Sequence, residues 1–164
     1  MSLIKIGKIV NTHGIKGELR ILSNFPYKDS VFQKGMTIYV DRKNKEIINS
    51  YRKHKKFDMI TLEGYNNIND VLKYKGKIVH AERKDIKLPT NCYLDEQLLG
   101  LTVIYQKQEH GIISKIERYD NVAILVVIYE NKEYFLPYNK EIIDQFDMIN
   151  RKIYIKNIKG FFTK

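Results

Sequence analysis

Short runs of apolar and β-branched residues recur about every ten residues along the chain, separated by polar residues or glycine. Alternation of apolar and polar residues with a period of two is typical of β-strands that bury one face. Strands at this spacing predict small β-barrels or sandwiches, and closing a barrel removes the exposed strand edges. The runs that predict strands are residues 3–10, 18–22, 36–40, 46–52, 58–63, 76–83, 101–105, 111–119, 122–130, 132–137 and 151–156.

Helical signals are few. The segment 66–77 offers Asn67 or Asn69 as an N-cap and Gly76 as the residue that ends a helix. The segment 139–147 predicts a second short helix, with its isoleucines on the buried side. Together these patterns predict a mainly β fold of two small β-barrels in tandem, with one or two short helices.

Charge is divided unevenly along the chain. The net charge is +10, and such a basic balance favours an anionic partner. Residues 1–88 carry 19 lysines and arginines against 9 acidic residues, whereas residues 89–164 carry 10 of each. The polar segment 85–93, which contains Pro89, lies where the balance changes. We therefore expect a basic N-terminal β-barrel domain over residues 1–88 and a neutral C-terminal barrel domain over residues 89–164.

Other bulk features limit the class of protein. The first residues contain lysines where a signal peptide would be apolar, and no apolar run approaches the about 20 residues of a membrane span. Cys92 is the only cysteine, which excludes an internal disulfide and suits a cytoplasmic protein. A lone thiol without a neighbouring base favours a structural role over a nucleophilic one. We expect a monomer that binds no membrane.

The segment 7–21, GKIVNTHGIKGELRI, raises the question of a nucleotide site. A P-loop needs four residues between its glycines, followed by lysine and a hydroxyl residue. Here six residues separate Gly7 from Gly14, and Ile15 follows. The segment also lacks the Gly-x-Gly of a dinucleotide site. The spacing of residues therefore disfavours nucleotide binding at this segment.

A shaped turn explains the glycines better. Gly14 and Gly17 tolerate backbone angles that other residues avoid, so they would let the chain reverse tightly between two strands. Lys16 and Arg20 would then project from a rigid turn, with His13 as a neutral donor beside them. The alternative is that the glycines serve only the turn and that the charges are merely solvated.

A second basic segment is 51–57, YRKHKKF. Its cations would face phosphates, whereas its aromatic ends, Tyr51 and Phe57, either stack on bases or turn into the core. We favour contact for the cations and the core for the aromatic residues. The cations concerned are Arg52, Lys53, Lys55 and Lys56.

No cluster of catalytic or metal-binding residues is evident in the sequence. Glu18 stands alone among carboxylates near the first turn, and catalysis by a carboxylate pair needs two such groups. The histidines share no metal-type spacing; they are His13, His54, His80 and His110. We therefore predict no catalytic residue, no cofactor and no metal site.

The segment 7–21 resembles the N-terminal signature of the ribosome maturation factor RimM family. That signature places Gly-Ile/Leu-Lys/Arg-Gly-Glu-Leu/Val-Arg/Lys-Val/Ile a few residues after Gly-x-Ile/Val, and residues 14–21 match it throughout. Residues 93–103 resemble the start of the family's C-terminal PRC-barrel, although Leu94 and Gln97 replace a tyrosine and an aspartate. Further positions that fit the family are Gly111, Leu136 and Pro137.

The resemblance implies a function without catalysis. Members of the family are assembly factors that bind the head of the immature small ribosomal subunit and aid maturation of its rRNA. The implied protein partner is a head-region ribosomal protein, the nineteenth of the small subunit in the usual naming. A basic first domain would lie on rRNA, and a neutral second domain would pack on the protein.

In the second half, the resemblance assigns partner contact to Tyr93, Leu94 and Leu98. The alternative is that Leu98 belongs to the core and that Tyr93 only closes the barrel. Gly100, Gly111 and Pro137 are assigned to backbone shape.

Three other functions stay open at this point. The first is a generic RNA-binding β-barrel protein or a permanent ribosomal component. The second is an rRNA-processing enzyme, which the lack of clustered carboxylates opposes. The third is an accessory module of electron transport, which leaves the basic first half unexplained.

Overall fold

A computed structural model describes residues 1–119, 122–156 and Phe162. The chain divides into two compact units, Met1–Pro89 and Thr90–Lys164. Most of the described residues lie in strands, with a few short helical turns between them, which confirms the predicted mainly β fold. That residues 1–88 and 89–164 act as separate functional domains stays a prediction.

The first unit is a closed barrel in which neighbouring strands are antiparallel. The order around the barrel is β1-β2-β5-β4-β3-β6. Closure leaves no strand of the barrel with an unpaired edge. Its strands are β1 (Leu3–His13), β2 (Glu18–Leu22), β3 (Thr37–Val40), β4 (Asn44–His54), β5 (Phe57–Leu62) and β6 (Ile78–Glu82).

Alternation along β2 shows why the sequence forms this barrel. Leu19 and Ile21 are fully buried, whereas Glu18, Arg20 and Leu22 between and beside them are partly or fully exposed. A strand with this period places one face on the core and the other toward solvent. The outward face of β2 therefore carries the charged residues of the first hairpin.

One predicted helix is present as the sequence indicated. The helix α1 spans Ile68–Val71, and the side chain of Asn67 caps it by accepting the N–H of Asn69 at 2.8 Å. A single 3-10 turn follows, and Gly76 then leaves the helical region with a φ of +83°.

The second unit is a six-stranded sheet with the order β10-β9-β8-β7-β12-β11. Leu136 and Ile143, from the two outermost strands of that order, share one hydrophobic core, so the sheet curves into a barrel-like form. The pairing of β7 with β12 is parallel, and the other pairs are antiparallel. Its elements are α2 (Asp95–Leu98), β7 (Thr102–Tyr105), β8 (Gln108–Tyr119), β9 (Val122–Tyr129), β10 (Lys132–Pro137), β11 (Ile143–Asp147) and β12 (Lys152–Ile155).

The helix predicted over 139–147 is wrong. The side chain of Asn139 accepts the N–H groups of Glu141 and Ile142, at 3.0 and 3.1 Å, and this forms a turn. Residues Ile143–Asp147 then form β11, which pairs with β12. Pairing with a neighbouring strand has outweighed a helix-like spacing of apolar residues.

The sequence analysis missed the short helix α2, Asp95–Leu98. Its start is fixed by the side chain of Gln97, whose oxygen accepts the N–H of Leu94 at 2.8 Å. A glutamine three residues into a helix that reaches back in this way is half of a capping box.

Within the described residues, no helix is long and apolar enough to cross a membrane.

Candidate nucleic-acid interface

The β1–β2 hairpin carries the first predicted contact residues on a rigid turn. His13 and Glu18 are paired across the hairpin, and Gly14 and Gly17 have φ values of +75° and +89°. A Cβ on Gly17 would lie 3.1 Å from the carbonyl oxygen of Asn67, whereas a Cβ on Gly14 would meet open space. Gly17 is therefore required for close approach to α1 as well as for the turn.

The β4–β5 hairpin lies beside it, because β5 pairs with β2. Arg52 on β4 donates two hydrogen bonds to the carboxylate of Glu18 on β2, at 2.8 and 2.7 Å. This bidentate bond lowers the pKa of Glu18, and the Glu18 carboxylate raises the pKa of Arg52. The charge predicted to face phosphate at Arg52 is thus already matched by Glu18, a partner that the sequence analysis missed.

Arg20 links the two hairpins. Its Nη2 lies 3.0 Å from Nδ1 of His13, and its guanidinium carbon lies 5.0 Å from the centre of the Phe57 ring. Because arginine can only donate, His13 accepts this bond through an unprotonated Nδ1. The ring of His54 is 6.0 Å from that of His13, and partial desolvation together with the charges of Arg52 and Lys55 lowers the pKa of His54.

The buried carboxylate of Asp58 binds two residues of the second basic segment, Tyr51 and Lys53. Lys28 lies 3.0 Å and Lys53 3.7 Å from its carboxylate oxygens, and the Tyr51 hydroxyl donates to it at 2.7 Å. Desolvation, followed by this bond to Asp58, raises the pKa of Tyr51. The ring of Tyr51 also stacks on that of Phe32. Tyr51 thus packs within the first unit. The charge of Lys53 is partly neutralised by Asp58, a partner that sequence spacing did not reveal.

Three predicted cations are exposed to solvent. Lys16 lies in the first turn, and Lys55 and Lys56 lie in the second, where Lys55 has a φ of +55°. Among the described residues, none forms an ion pair with these three lysines. Lys56 Nζ lies 5.5 Å from the centre of the Phe57 ring, so two cations, Arg20 and Lys56, lie near this ring. We name Lys16, Lys55 and Lys56 the free lysines.

All seven predicted rRNA-contact residues therefore lie on two neighbouring hairpins, but they differ in what they offer. The free lysines can approach phosphate directly. The remaining four are engaged with protein groups and orient the surface around the lysines; they are His13, Arg20, Arg52 and Lys53.

The Arg52–Glu18 pair gives a pH-dependent prediction. Glu18 has its pKa held below its ordinary 4.5 in the folded chain, so the pair stabilises the fold above that pH, and this contribution is lost as pH falls through the lowered pKa. Replacing Arg52 with alanine should lower the free energy of unfolding at pH 7 modestly, because the Arg52 side chain is largely exposed and its ion pair is screened by solvent. Urea unfolding should show this difference shrinking as the pH is lowered below 4.5. A pH-independent difference would contradict the assigned cause.

In the second unit, the predicted partner residues are mostly internal. Leu98 is 0% exposed and Leu94 is 4% exposed, and the half-buried ring of Tyr93 lies 4.9 Å from that of Phe146. The Leu94 and Leu98 side chains thus pack within the unit, as the alternative interpretation of Leu98 predicted. Partner contact at Tyr93, Leu94 and Leu98 stays a prediction.

Two of the three residues assigned to backbone shape in the second unit have a backbone conformation that favours glycine. Gly100 and Gly111 have φ values of +84° and +89°. A Cβ on Gly111 would lie 2.0 Å from the carbonyl oxygen of Ile128. Pro137 ends β10 opposite Ile124.

An exposed apolar face on β8, β9 and β10 was missed from the sequence. Ile112 and Ile128 are directly paired and both exposed, and Phe135 on β10 is 55% exposed. The only sequence signal was the continuous apolar run 123–129, which is typical of a strand with apolar residues on both faces. We name Ile112, Ile128 and Phe135 the apolar sheet face.

The described residues contain no group of three or more His, Cys, Asp or Glu side chains placed to hold a metal ion. The site therefore consists of hydrogen-bond donors, cations and apolar side chains. Such a set can bind an anionic polymer and order it.

Comparison with known proteins gives consistent matches. The family model "RimM N-terminal domain" matches residues 4–86. A ribosome maturation factor RimM of Staphylococcus aureus strain MRSA252 is 39% identical over 163 residues, which cover 96% of this chain and 97% of that protein. The RimM of Staphylococcus haemolyticus matches with the same identity and coverage. A crystal structure of a Pseudomonas aeruginosa protein described as a 16S ribosomal RNA processing protein RimM gives a TM-score of 0.46 at 25% identity, covering 94% of this chain and 96% of that one.

Proposed function

Because this chain belongs to the RimM family of ribosome maturation factors, we propose that it binds the head of the immature small ribosomal subunit and promotes processing of the small-subunit rRNA without catalysing a reaction. The observation that carries this proposal is the grouping of the free lysines on two adjacent hairpins of the basic unit.

The free lysines suit rRNA because phosphate contacts release condensed counterions, and this release drives association. Such contacts position a protein on RNA without reading its sequence. Arg52 and Arg20 hold the surface in shape, since Arg52 on β4 reaches across β5 to Glu18 on β2, and Arg20 on β2 contacts Phe57 on the neighbouring β5. A rigid cationic surface loses little entropy when it binds.

The second unit is proposed to bind the head-region ribosomal protein, the nineteenth in the usual naming. Charged residues are depleted and aromatic residues are enriched at the centre of protein interfaces. The apolar sheet face has this character, since it groups Ile112, Ile128 and Phe135 within a unit of balanced charge. This face adds to the predicted contact at Tyr93, Leu94 and Leu98.

A protein bound at two places on the precursor would act on the rRNA by binding one of its conformations more tightly than the others. A factor that binds one conformation of the precursor more tightly shifts the population toward that conformation. No bond has to be made or broken, and no cofactor is required. The protein would work as a monomer in the cytoplasm, where ribosomes are assembled.

Sedimentation of a cell extract tests this function. We expect the protein in the fractions that contain precursor small subunits and its absence from translating ribosomes. Stoichiometric presence on mature subunits would instead identify a permanent ribosomal component. Cleavage of precursor rRNA by the purified protein with magnesium would identify an enzyme and contradict the proposal.

A further inference from the structure

Ile15 stands at the tip of the β1–β2 turn with its side chain 82% exposed. It lies between Gly14 and Lys16, where turn chemistry ordinarily favours small or polar residues. A branched aliphatic side chain gains nothing from water at such a position. Its exposure makes the side chain available to a partner.

The backbone beneath Ile15 is fixed. Its carbonyl oxygen accepts the N–H of Ile68, the first residue of α1, at 2.9 Å. Gly17 brings the same turn to within close contact of Asn67. The Ile15 side chain is thus held outward by a turn that is attached at two points, and little conformational freedom remains to be lost on binding.

The surroundings of Ile15 define what can approach it. Lys16 follows it directly, and His13 and Arg20 form a hydrogen-bonded pair at the base of the same hairpin. A partner that reaches Ile15 must therefore be anionic and must also offer an apolar surface. Single-stranded or distorted RNA has both, because its phosphates are anionic and its unstacked bases present apolar faces.

We propose that Ile15 packs against the face of an unstacked base in the bound rRNA, while Lys16 contacts the adjoining phosphate. Isoleucine is among the side chains that proteins insert as wedges between base steps in nucleic acids. This inference rests on the proposed function, since it assumes that the hairpin faces rRNA. If the inference holds, the contact made by the Ile15 side chain contributes affinity that does not depend on salt concentration.

Binding of the full chain to purified precursor small subunits, measured over a range of salt concentrations, separates the two contributions. Ile15→Ala should weaken binding about tenfold, equivalent to about 1.4 kcal/mol, with an unchanged slope of log affinity against log salt. Lys16→Ala should reduce that slope by about 1. Ile149→Ala is the matched control, because Ile149 is a 94% exposed isoleucine in the neutral unit, and its affinity should match that of the wild type.

Unchanged affinity of Ile15→Ala, beside a reduced slope for Lys16→Ala, would overturn the inference and leave the proposed function intact. An equal loss for Ile149→Ala would also overturn it, because the effect would then be general apolar adhesion. Absence of wild-type binding to the precursor would overturn the proposed function and the inference together.

A photoreactive benzophenone amino acid in place of Ile15 identifies the class of macromolecule. After irradiation of the complex, we expect an adduct with rRNA at a single-stranded or bulged nucleotide. An adduct with a ribosomal protein alone, or no adduct with rRNA, would overturn the inference. Thermal unfolding of the substituted chains should match that of the wild type, since the Ile15 side chain is exposed.

Discussion

Replacing Gly111 with alanine should unfold the second unit or leave it barely stable. The residue lies on β8 with a φ of +89°, and a Cβ there would meet the carbonyl oxygen of Ile128 at 2.0 Å. A left-handed backbone costs a residue with a side chain about 1–2 kcal/mol. The overlap must in addition push β9 away from β8 and break their hydrogen bonds, so the total should exceed about 4 kcal/mol, in the range of the most damaging substitutions.

Gly100→Ala is the matched control for this prediction. Its φ of +84° is nearly the same, but the nearest atom to a new Cβ is the end of the Arg151 side chain at 3.7 Å. This variant should lose only the backbone cost of about 1–2 kcal/mol. Urea unfolding and hydrogen exchange of the β8–β9 amides would measure the loss of stability in each of the two variants. A loss for Gly111→Ala that equals the loss for Gly100→Ala would contradict the close approach of β9.

The strands were predictable because their physical signals are local. Leu19 and Ile21 alternate with charged residues, and Asn67 precedes the helix that it caps, so short windows of sequence carried this information. The segment after Asn139 failed because β11 forms only by pairing with β12. A short window cannot show which distant strand will supply the hydrogen bonds.

The position of the candidate site was easier to predict from the sequence than the charge that each of its side chains offers. Clusters of lysine and arginine identified both hairpins, but the charge that each cation offers depends on its partner. Arg52 meets Glu18, which is distant in sequence, and Lys53 meets the buried Asp58. The Arg52–Glu18 pair follows from the order of strands around the barrel, which alternation alone does not determine. The Lys53–Asp58 pair follows from the register of the β4–β5 hairpin.

The exposed residues of the second unit were missed for a related reason. Alternation cannot distinguish the two faces of a strand when both are apolar, as in residues 123–129. Leu98 was assigned to a partner by family resemblance, yet this last residue of α2 is fully buried. Family likeness therefore located the segment without telling which of its side chains face solvent.

Neutralising the second basic segment should give the largest functional effect. In the variant Lys53→Gln/Lys55→Gln/Lys56→Gln, the slope of log affinity for precursor subunits against log salt should fall by about 2, since each phosphate contact contributes about 0.7–0.9 and Lys55 and Lys56 make two such contacts in full. Affinity near 0.1 M salt should fall about 100-fold on the same basis. Lys55 and Lys56 should account for most of this change, because Lys53 shares its charge with Asp58 at 3.7 Å.

The fold should survive these substitutions. Asp58 keeps Lys28 at 3.0 Å and the Tyr51 hydroxyl at 2.7 Å when Lys53 is replaced, so its buried carboxylate is still partnered. Lys55 and Lys56 are exposed in the turn, and glutamine retains most of their aliphatic stems. An unchanged unfolding midpoint would confirm that any loss of affinity arises at the surface.

A second triple variant distinguishes a local contact from the effect of net charge. Lys107, Lys132 and Lys140 are exposed in the neutral unit, and their replacement with glutamine removes the same total charge. If the β4–β5 hairpin lies on phosphate, this control should keep nearly the wild-type slope, because counterions are released only where cations neutralise phosphates. Equal losses in the two variants would mean that the charge of the whole chain attracts the subunit, and an unchanged slope in both would place the rRNA contact away from Lys55 and Lys56.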